Sequence, residues 1–207
     1  MDETYDIIPK INIFTLGDTQ VGKTCFILRF TNNIFQVNDL GTMGIDVMAK
    51  KITLSSGEKV NITFYDTAGE ERYRWISLNL IKTADAIVLM YAINNEESFR
   101  NIPGWIESVR EVKGNDFPII LIGNKCDLEE ERKIQKEEGE KIAENYGFHF
   151  YETSNKDGTN IDEVVMDLVT KVVENKKKKE KEKQENKNIN LEHKISLEKD
   201  KKKNGCC

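Results

Sequence analysis

Two short apolar runs dominate the hydrophobic pattern of the chain, AIVLMYAI at 86–93 and PIILIG at 118–123. Both are rich in Ile and Val and end at polar turns, which is typical of strands buried on both faces of a parallel sheet. IIPKINIFTLG at 7–17 predicts another such strand. The two runs are the longest apolar stretches and are far shorter than the ~20 residues of a membrane-spanning helix. We therefore expect no transmembrane segment.

The segments between these runs predict the remaining elements. Rough alternation over 43–67, around a turn at 55–57, predicts a hairpin, and FHFYE at 148–152 predicts a short strand. Helices are predicted over the four segments 23–33, 96–113, 130–146 and 160–174. Strands that alternate with helices indicate an α/β three-layer domain with right-handed crossovers. In such a domain, ligands bind beyond the carboxyl ends of the strands.

The end of the chain has a different composition. Residues 176–207 contain twelve lysines, six acidic residues and no aromatic residue, so this segment carries +6 and leaves −11 on residues 1–175. We expect an N-terminal extension at 1–9, a domain at 10–174 and a disordered basic tail at 175–207. The alternative is that Lys and Glu simply continue the last helix. The acidic charge of residues 1–175 argues against binding to nucleic acid. The basic charge of the tail argues for binding to an anionic surface.

Four cysteines are too few and too scattered for a disulfide framework, which indicates a cytosolic protein. Cys25 and Cys126 lie inside the motifs described below, and Cys206 and Cys207 are the last two residues. The start, MDETYD, has neither the basic leader of a secretory signal nor the Met-Gly of a myristoylation site. We expect no targeting signal at this end.

The segment GDTQVGKT, here called the phosphate loop (residues 17–24), follows a predicted strand and precedes a predicted helix. Its glycines let successive backbone N–H groups turn toward phosphates, beside the positive end of the helix dipole. Lys23 is expected to reach the β and γ phosphates, and the Thr24 hydroxyl to bind Mg²⁺. Such a pattern occurs by chance in roughly one random chain of this length in a hundred. The predicted phosphate-binding residues are Gly17, Asp18, Thr19, Gln20, Val21, Gly22, Lys23, Thr24 and Cys25.

A second motif, DTAG at 66–69, directly follows the alternating strand VNITFY. Downstream of a phosphate loop it places a carboxylate, Asp66, beside the metal, and Gly69 lets a backbone N–H approach the γ phosphate. Alone, the same four residues are an ordinary exit from a strand. In this order they predict a site that binds the metal and responds to the γ phosphate.

Two later segments predict the base pocket: the first base loop (residues 124–127, NKCD) and the second base loop (residues 153–156, TSNK). Asp127 can accept both N–H groups on the N1 and N2 edge of guanine, and backbone N–H groups near Ser154 and Asn155 can bind its oxygen. A pocket of this kind rejects adenine by ~10⁴-fold or more. Asn124 is expected to tie the loops together, and the alkyl stem of Lys125 to cover the base. The predicted base-binding residues are Asn124, Lys125, Asp127, Ser154, Asn155 and Lys156.

These four motifs, in this order, resemble those of the Ras superfamily of small GTPases over residues 10–174. Residues 42–46 (TMGID), 66–74 and 91–105 are similar to the Rab branch. The resemblance implies the P-loop NTPase (Ras-like) fold, a mostly parallel six-stranded sheet with one antiparallel edge strand and helices on both faces. It implies a GTP/GDP switch that hydrolyses GTP and regulates vesicle trafficking. Thr42 is implied to close over Mg²⁺ and the γ phosphate, which makes the metal set Thr24, Thr42 and Asp66.

Glu70 departs from the family, because Ras and Rab proteins usually carry there the glutamine that orients the attacking water. A glutamate cannot donate a hydrogen bond to the transition state, and its charge lies near the transferring phosphoryl group. We expect slow hydrolysis that depends on an activating protein, unless Glu70 acts as a base. No arginine lies between residues 30 and 71, so a stabilising guanidinium has to come from a partner. The implied catalytic set is Glu70, Thr42, Lys23 and Gly69.

Two further departures concern partner binding and the phosphate loop. The aromatic trio that many Rab proteins present to effectors corresponds to Val47, Tyr65 and Leu80. Of these three, Tyr65 alone is aromatic. Tyr73 and Trp75 either replace that surface or pack as core. Gln20 stands where a glycine is common, and we interpret it as tolerated because its side chain can point outward.

The terminal Cys206 and Cys207 resemble the Rab site for two geranylgeranyl groups, and two lipid chains anchor a protein firmly. The resemblance implies a monomer on the cytoplasmic face of intracellular membranes that cycles with the cytosol. Its implied partners are exchange factors, activating proteins, a GDP dissociation inhibitor or escort protein, and effectors.

Two alternatives to a switch share the phosphate loop. A P-loop metabolic kinase needs an arginine-rich lid, and this chain has six arginines. A GTP-loaded scaffold with little hydrolysis agrees with Glu70. The co-purifying nucleotide separates the three classes: GDP for a switch that turns over, GTP for a scaffold, and an adenine nucleotide for a kinase.

Overall fold

A six-stranded sheet forms the centre of the unit Met1–Thr170. The computed structural model describes residues 8–36, 45–67 and 81–203. The strands are β1 (Lys10–Leu16), β2 (Ile45–Thr53), β3 (Lys59–Thr67), β4 (Ala86–Ala92), β5 (Ile119–Asn124) and β6 (His149–Thr153). Their order in the sheet is β2-β3-β1-β4-β5-β6, with β2 antiparallel to β3 and every other pair parallel. The predicted sheet, mostly parallel with one antiparallel edge strand, is confirmed.

Five α-helices and one short 3₁₀ helix lie among the described residues. They are α1 (Lys23–Asn32), α2 (Glu96–Arg100), α3 (Ile102–Lys113), α4 (Lys136–Tyr146) and α5 (Ile161–Lys203), with the 3₁₀ helix at Glu129–Glu131. The helices of the unit Met1–Thr170 lie around the sheet, as the fold class predicted.

Two helix predictions were wrong in extent. The helix predicted over 96–113 is split at Asn101, because Pro103 occupies the first turn of a second helix, where a missing N–H costs nothing. The helix predicted from residue 130 begins at Lys136. There the backbone N–H of Gln135 donates to Glu138 Oε2 at 2.9 Å, in a capping box that fixes the start of α4.

The two faces of the sheet have different roles. Alternating side chains of β1, β4 and β5 pack with α3 and α4 into one buried apolar cluster, in which Phe14 and Leu16 represent β1. Thr15 lies between them and therefore points to the opposite face, as does its register partner Asp66 on β3. Both side chains are fully buried. The buried hydroxyl of Thr15 and the buried carboxylate of Asp66 thus lie on the face opposite the apolar cluster, where Asp66 also contacts Thr24 at the start of α1.

The predicted site residues that the structure describes lie at or just beyond the carboxyl ends of parallel strands. The phosphate loop follows β1, Asp66 lies near the end of β3, and the two base loops begin where β5 and β6 end. Since β1, β3, β4, β5 and β6 are parallel, these segments emerge at the same edge of the sheet. This edge is where ligands bind in open α/β sheets.

The chain divides into two units, Met1–Thr170 and Lys171–Cys207. Within the first unit α5 buries one apolar face, formed by Ile161, Val164, Val165, Leu168 and Val169. Within the second unit α5 continues to Lys203, where the sequence predicted disorder for 175–207. Lys and Glu have high helix propensity, which explains the longer helix. No described helix combines the length and apolar character needed to cross a membrane.

Candidate nucleotide-binding site

The phosphate loop is a tight connection between β1 and α1. Gly17 has φ 132°, and a Cβ atom there would lie 2.1 Å from the carbonyl oxygen of Met90 on β4. Gly22 has φ 99° and caps the N-terminus of α1. Both positions require glycine, because a side chain would be strained at these angles and would collide. Gln20 has φ 60° and is exposed, so a non-glycine residue occupies the left-handed region between them.

Lys23 is buried within this loop. Its Nζ donates hydrogen bonds to the carbonyl oxygens of Gly17 at 2.9 Å and Asp18 at 2.6 Å. Burial lowers the pKa of Lys23 to about 8, against the opposing charges of Asp66 and Asp18. An incoming phosphate would favour the charged ammonium. The arrangement therefore provides a cation that lies ready for an anionic ligand.

Asp18 joins the phosphate loop to α3. Its carboxylate accepts from Asn101 Nδ2 at 2.7 Å and from Trp105 Nε1 at 2.9 Å. Neither Asn101 nor Trp105 was assigned a site role from the sequence, although both lie in the segment 91–105 that resembles Rab proteins. The side chain of Asp18 is thus directed toward α3 and its carbonyl toward Lys23.

Thr24 and Asp66 form the contact on which metal binding depends. Thr24 Oγ1 donates to Asp66 Oδ2 at 2.6 Å, and Thr15 Oγ1 donates a long hydrogen bond to Asp66 Oδ1 at 3.4 Å. A hydroxyl and a buried carboxylate are hard oxygen donors, which Mg²⁺ prefers. The residues present therefore fit Mg²⁺. Cys25 lies beside them, with its thiol donating to the carbonyl of Gln36 and its pKa raised chiefly by burial.

The first base loop contacts the phosphate loop. Asn124 Nδ2 donates to the carbonyl oxygen of Val21 at 2.7 Å, and Asn124 Oδ1 accepts from Thr153 Oγ1 at 3.0 Å. One buried amide therefore joins three segments. Lys125 follows with φ 68°, which turns the chain sharply before Cys126, whose N–H donates to the Thr153 carbonyl at 3.0 Å.

Asp127 is oriented by the second base loop. Its Oδ1 accepts from Ser154 Oγ at 2.7 Å, and that hydroxyl also accepts from the backbone N–H of Asp157 at 3.1 Å. The hydroxyl therefore has a fixed donor direction toward the carboxylate. A carboxylate held this way suits recognition of two adjacent N–H groups.

The remaining residues of the second base loop contact α1. Asn155 Nδ2 donates to the carbonyl of Gly22 at 2.9 Å. Arg29 Nε donates to the Asn155 carbonyl at 2.6 Å, and the same guanidinium donates to the carbonyl of Lys156. Arg29 was missed from the sequence, because nothing in its helical position indicates partners so far along the chain.

Several predicted residues lie outside the described part of the chain: Thr42, Gly69, Glu70, Tyr73, Trp75, Leu80, Cys206 and Cys207. Of the trio assigned to effector binding, Val47 is 57% exposed and Tyr65 stacks on Phe14, with ring centroids 4.4 Å apart. Tyr65, the one aromatic residue of the trio, therefore packs against the buried apolar cluster.

Comparison with known proteins identifies the family. The Ras family profile matches residues 12–174. Rab-8B from Pongo abelii is 40% identical over 176 residues, covering 83% of this chain and 84% of the relative. Rab-13 from Canis lupus familiaris is 38% identical, covering 84% of each chain, and Rab-30 from Homo sapiens is 35% identical, covering 84% and 85%. The chain therefore belongs to the Ras family, as a Rab-type small GTPase that hydrolyses GTP and regulates vesicle trafficking.

Proposed function

We propose that this GTPase is a Mg²⁺-dependent switch whose nucleotide site is the cluster of loops at the carboxyl edge of the sheet. The observation that carries the proposal is the 2.6 Å hydrogen bond between Thr24 Oγ1 and Asp66 Oδ2. It brings a hydroxyl from the phosphate loop and a carboxylate from β3 to one point. When bound there, Mg²⁺ would neutralise part of the phosphate charge.

Each segment has a distinct task in this proposal. Backbone N–H groups of the phosphate loop and the Lys23 ammonium bind the β and γ phosphates. The Asp127 carboxylate, oriented by Ser154, accepts the two N–H groups of guanine. Thr42 and Gly69 contact the γ phosphate when GTP is bound and lose that contact when GDP is bound. Loss of that phosphate therefore changes their contacts.

Calorimetry tests this proposal. We expect GTP and GDP to bind in the presence of Mg²⁺, and ATP to bind ~10⁴-fold more weakly. Asp66→Asn should weaken the response to Mg²⁺. Asp116→Asn is the matched control, since Asp116 is exposed in a turn. Equal binding of ATP and GTP, or Mg²⁺-independent binding by the native chain, would reject the proposal.

Hydrolysis is proposed to be slow and to depend on an activating protein, because Glu70 replaces the usual glutamine. A carboxylate cannot donate a hydrogen bond to the attacked phosphoryl group and adds negative charge nearby. In a single-turnover GTP assay, Glu70→Gln should be faster than the native chain. A faster native chain would instead assign Glu70 the role of a base.

The membrane part of the proposal rests on the two terminal cysteines. Two geranylgeranyl groups on Cys206 and Cys207 would anchor the chain to the cytoplasmic face of intracellular membranes. Exchange factors, activating proteins, effectors and a GDP dissociation inhibitor or escort protein would act on it there and in the cytosol. Imaging a tagged full-length chain beside one that lacks both residues tests this. Asp116→Asn, in an exposed turn, is the control, and membrane signal that survives the deletion contradicts the proposal.

A further inference from the structure

Two neighbouring carbonyl groups of the phosphate loop accept hydrogen bonds from two different base loops. The Val21 carbonyl accepts from Asn124 Nδ2 at 2.7 Å, and the Gly22 carbonyl accepts from Asn155 Nδ2 at 2.9 Å. From the sequence, Asn124 was expected to tie the loops together, whereas Asn155 was assigned only a backbone role at the base. The base pocket is therefore joined to the phosphate loop at two adjacent points.

Arg29 holds the same loop from the other end of α1. Its Nε donates to the Asn155 carbonyl at 2.6 Å, and its guanidinium donates to the Lys156 carbonyl. Gly22 is the N-cap of α1 and Arg29 lies in its last turn. Asn155 is consequently held to both ends of one helix, by its side chain at the start and by its carbonyl at the finish.

The local packing leaves little freedom for this arrangement. A Cβ atom at Gly22 would lie 2.4 Å from Asn124 Nδ2 and 2.7 Å from Asn155 Nδ2, so the bare glycine makes room for both amides. Asn155 is only 5% exposed. Any movement of the phosphate loop away from a ligand would therefore displace the second base loop as well.

The two polar atoms of the Asn155 amide differ in their hydrogen bonding. Its Oδ1 is buried and has no hydrogen-bond partner among the described residues. A buried acceptor in this condition costs free energy that a small apolar residue would avoid. The Asn155 amide therefore combines one hydrogen bond to the Gly22 carbonyl with the cost of one unpaired oxygen.

We propose that Asn155 and Arg29 form a clasp that couples the guanine pocket to the phosphate loop and slows nucleotide release. Both are positioning residues, since they act through the carbonyls of the loops. The inference rests on the proposed function, because it requires guanine nucleotide in this site. With the clasp closed, the base cannot leave its pocket while the phosphates remain bound, so both must be released together.

The test is the dissociation of a fluorescent GDP from the full chain, chased by excess unlabelled GDP with Mg²⁺ present. Asn155→Ala removes one hydrogen bond and should speed release about three- to tenfold. Arg29→Lys keeps the charge but loses the fork that contacts two carbonyls, and it should speed release by a similar factor. The matched control is Asn115→Ala in an exposed turn, which should leave the rate unchanged.

A folding defect and a broken clasp give different signals. Partial unfolding lowers the amplitude of the fluorescence change, because less protein binds, whereas an open clasp raises the rate constant of the bound fraction. In the double variant, the two increases should combine to less than their product, because both residues hold one loop.

The outcomes separate this inference from the proposed function. Faster release with less than multiplicative combination supports the clasp. Release within about twofold of the native rate in both single variants overturns it, and so does a fully multiplicative double variant. If the native chain binds no GDP at all, the proposed function itself fails and the clasp with it.

Discussion

Trp105 Nε1 on α3 donates a hydrogen bond of 2.9 Å to Asp18 Oδ1 in the phosphate loop. Asn101 Nδ2 binds the other oxygen of the same carboxylate at 2.7 Å. The Asp18 carbonyl meanwhile accepts from Lys23 Nζ at 2.6 Å. Both the side chain and the main chain of Asp18 are therefore held, which links the conformation of the phosphate loop to α3.

Asp18→Ala should free the Trp105 indole and lower the free energy of unfolding by ~1–3 kcal/mol, as expected for lost hydrogen bonds to a charged group. The chain has two tryptophans, so a Trp75→Phe background isolates Trp105. In that background the emission spectrum of Trp105 should change with Asp18→Ala and stay constant with Asp116→Ala. An identical spectrum in both variants would show that the hydrogen bond is not made in solution.

Asp127→Asn should change the preferred base from guanine to xanthine. An amide at this position can donate to the oxygen that xanthine carries in place of the guanine amino group, and it loses the charge that accepts two N–H groups. We expect GTP to bind at least ~10²-fold more weakly than to the native chain, with XTP preferred. Competition binding of the two nucleotides measures this. If GTP and XTP both bind equally weakly, the substitution disrupts the first base loop instead of changing its base preference.

Tyr91→Phe should stabilise the protein by ~1 kcal/mol, because a buried hydroxyl without a partner costs about that much. Tyr91 is fully buried, and its Oη has no hydrogen-bond partner among the described residues. Urea unfolding at neutral pH measures the difference. A less stable variant would contradict the prediction.

The difference in the free energy of unfolding between the native chain and Tyr91→Phe should depend on pH. Burial raises the pKa of Tyr91 above its usual value of 10.0, with the charge of Glu152 acting in the same direction. Above pH ~10 the unfolded chain loses the phenol proton while the folded chain keeps it, so native stability falls as pH rises. The advantage of Tyr91→Phe should therefore grow between pH 9 and 11. A constant difference over that range would place the hydroxyl in contact with solvent.

Arg132→Lys should destabilise the fold by ~2–3 kcal/mol, since it breaks hydrogen bonds between charged groups with little exposure. The guanidinium contacts both carboxylate oxygens of Glu152, at 2.6 and 3.0 Å, and the two side chains are 9% and 14% exposed. Arg100→Lys is the matched control, because its ion pair with Glu96 is mostly exposed and should contribute under ~1 kcal/mol. If urea unfolding shows that Arg132→Lys and Arg100→Lys lose similar amounts of free energy of unfolding, burial of the Arg132–Glu152 pair does not determine its contribution.

The sequence predicted the parts of this fold that depend on local pattern. Apolar runs such as 86–93 are strands because burial on both faces selects Ile and Val, and the phosphate loop is a contiguous motif. What it missed depends on distant partners. Trp105 and Asp18 are separated by 87 positions, and Arg29 and Asn155 by 126. No periodicity encodes such pairs, because they arise only when the sheet brings strand ends together.

The break at Asn101 has a local cause that the periodic pattern concealed. The apolar spacing of 96–113 fits one continuous helix, and Pro103 determines where a new one starts. The extent of α5 was underestimated for the opposite reason. The segment after residue 175 lacks an apolar face, so disorder was expected there, with a continued helix as the alternative; α5 extends to Lys203, as the propensity of Lys and Glu favours.

A Cβ atom at Gly17 would lie 2.1 Å from the Met90 carbonyl oxygen on the central strand β4, so the phosphate loop and that strand are in close contact. The loop cannot tilt toward the sheet without pushing that strand, and the strand is paired on both sides. The sheet thus gives the base of the phosphate loop a rigid support on this side. We therefore expect the larger differences between the GTP-bound and GDP-bound forms in other parts of the chain.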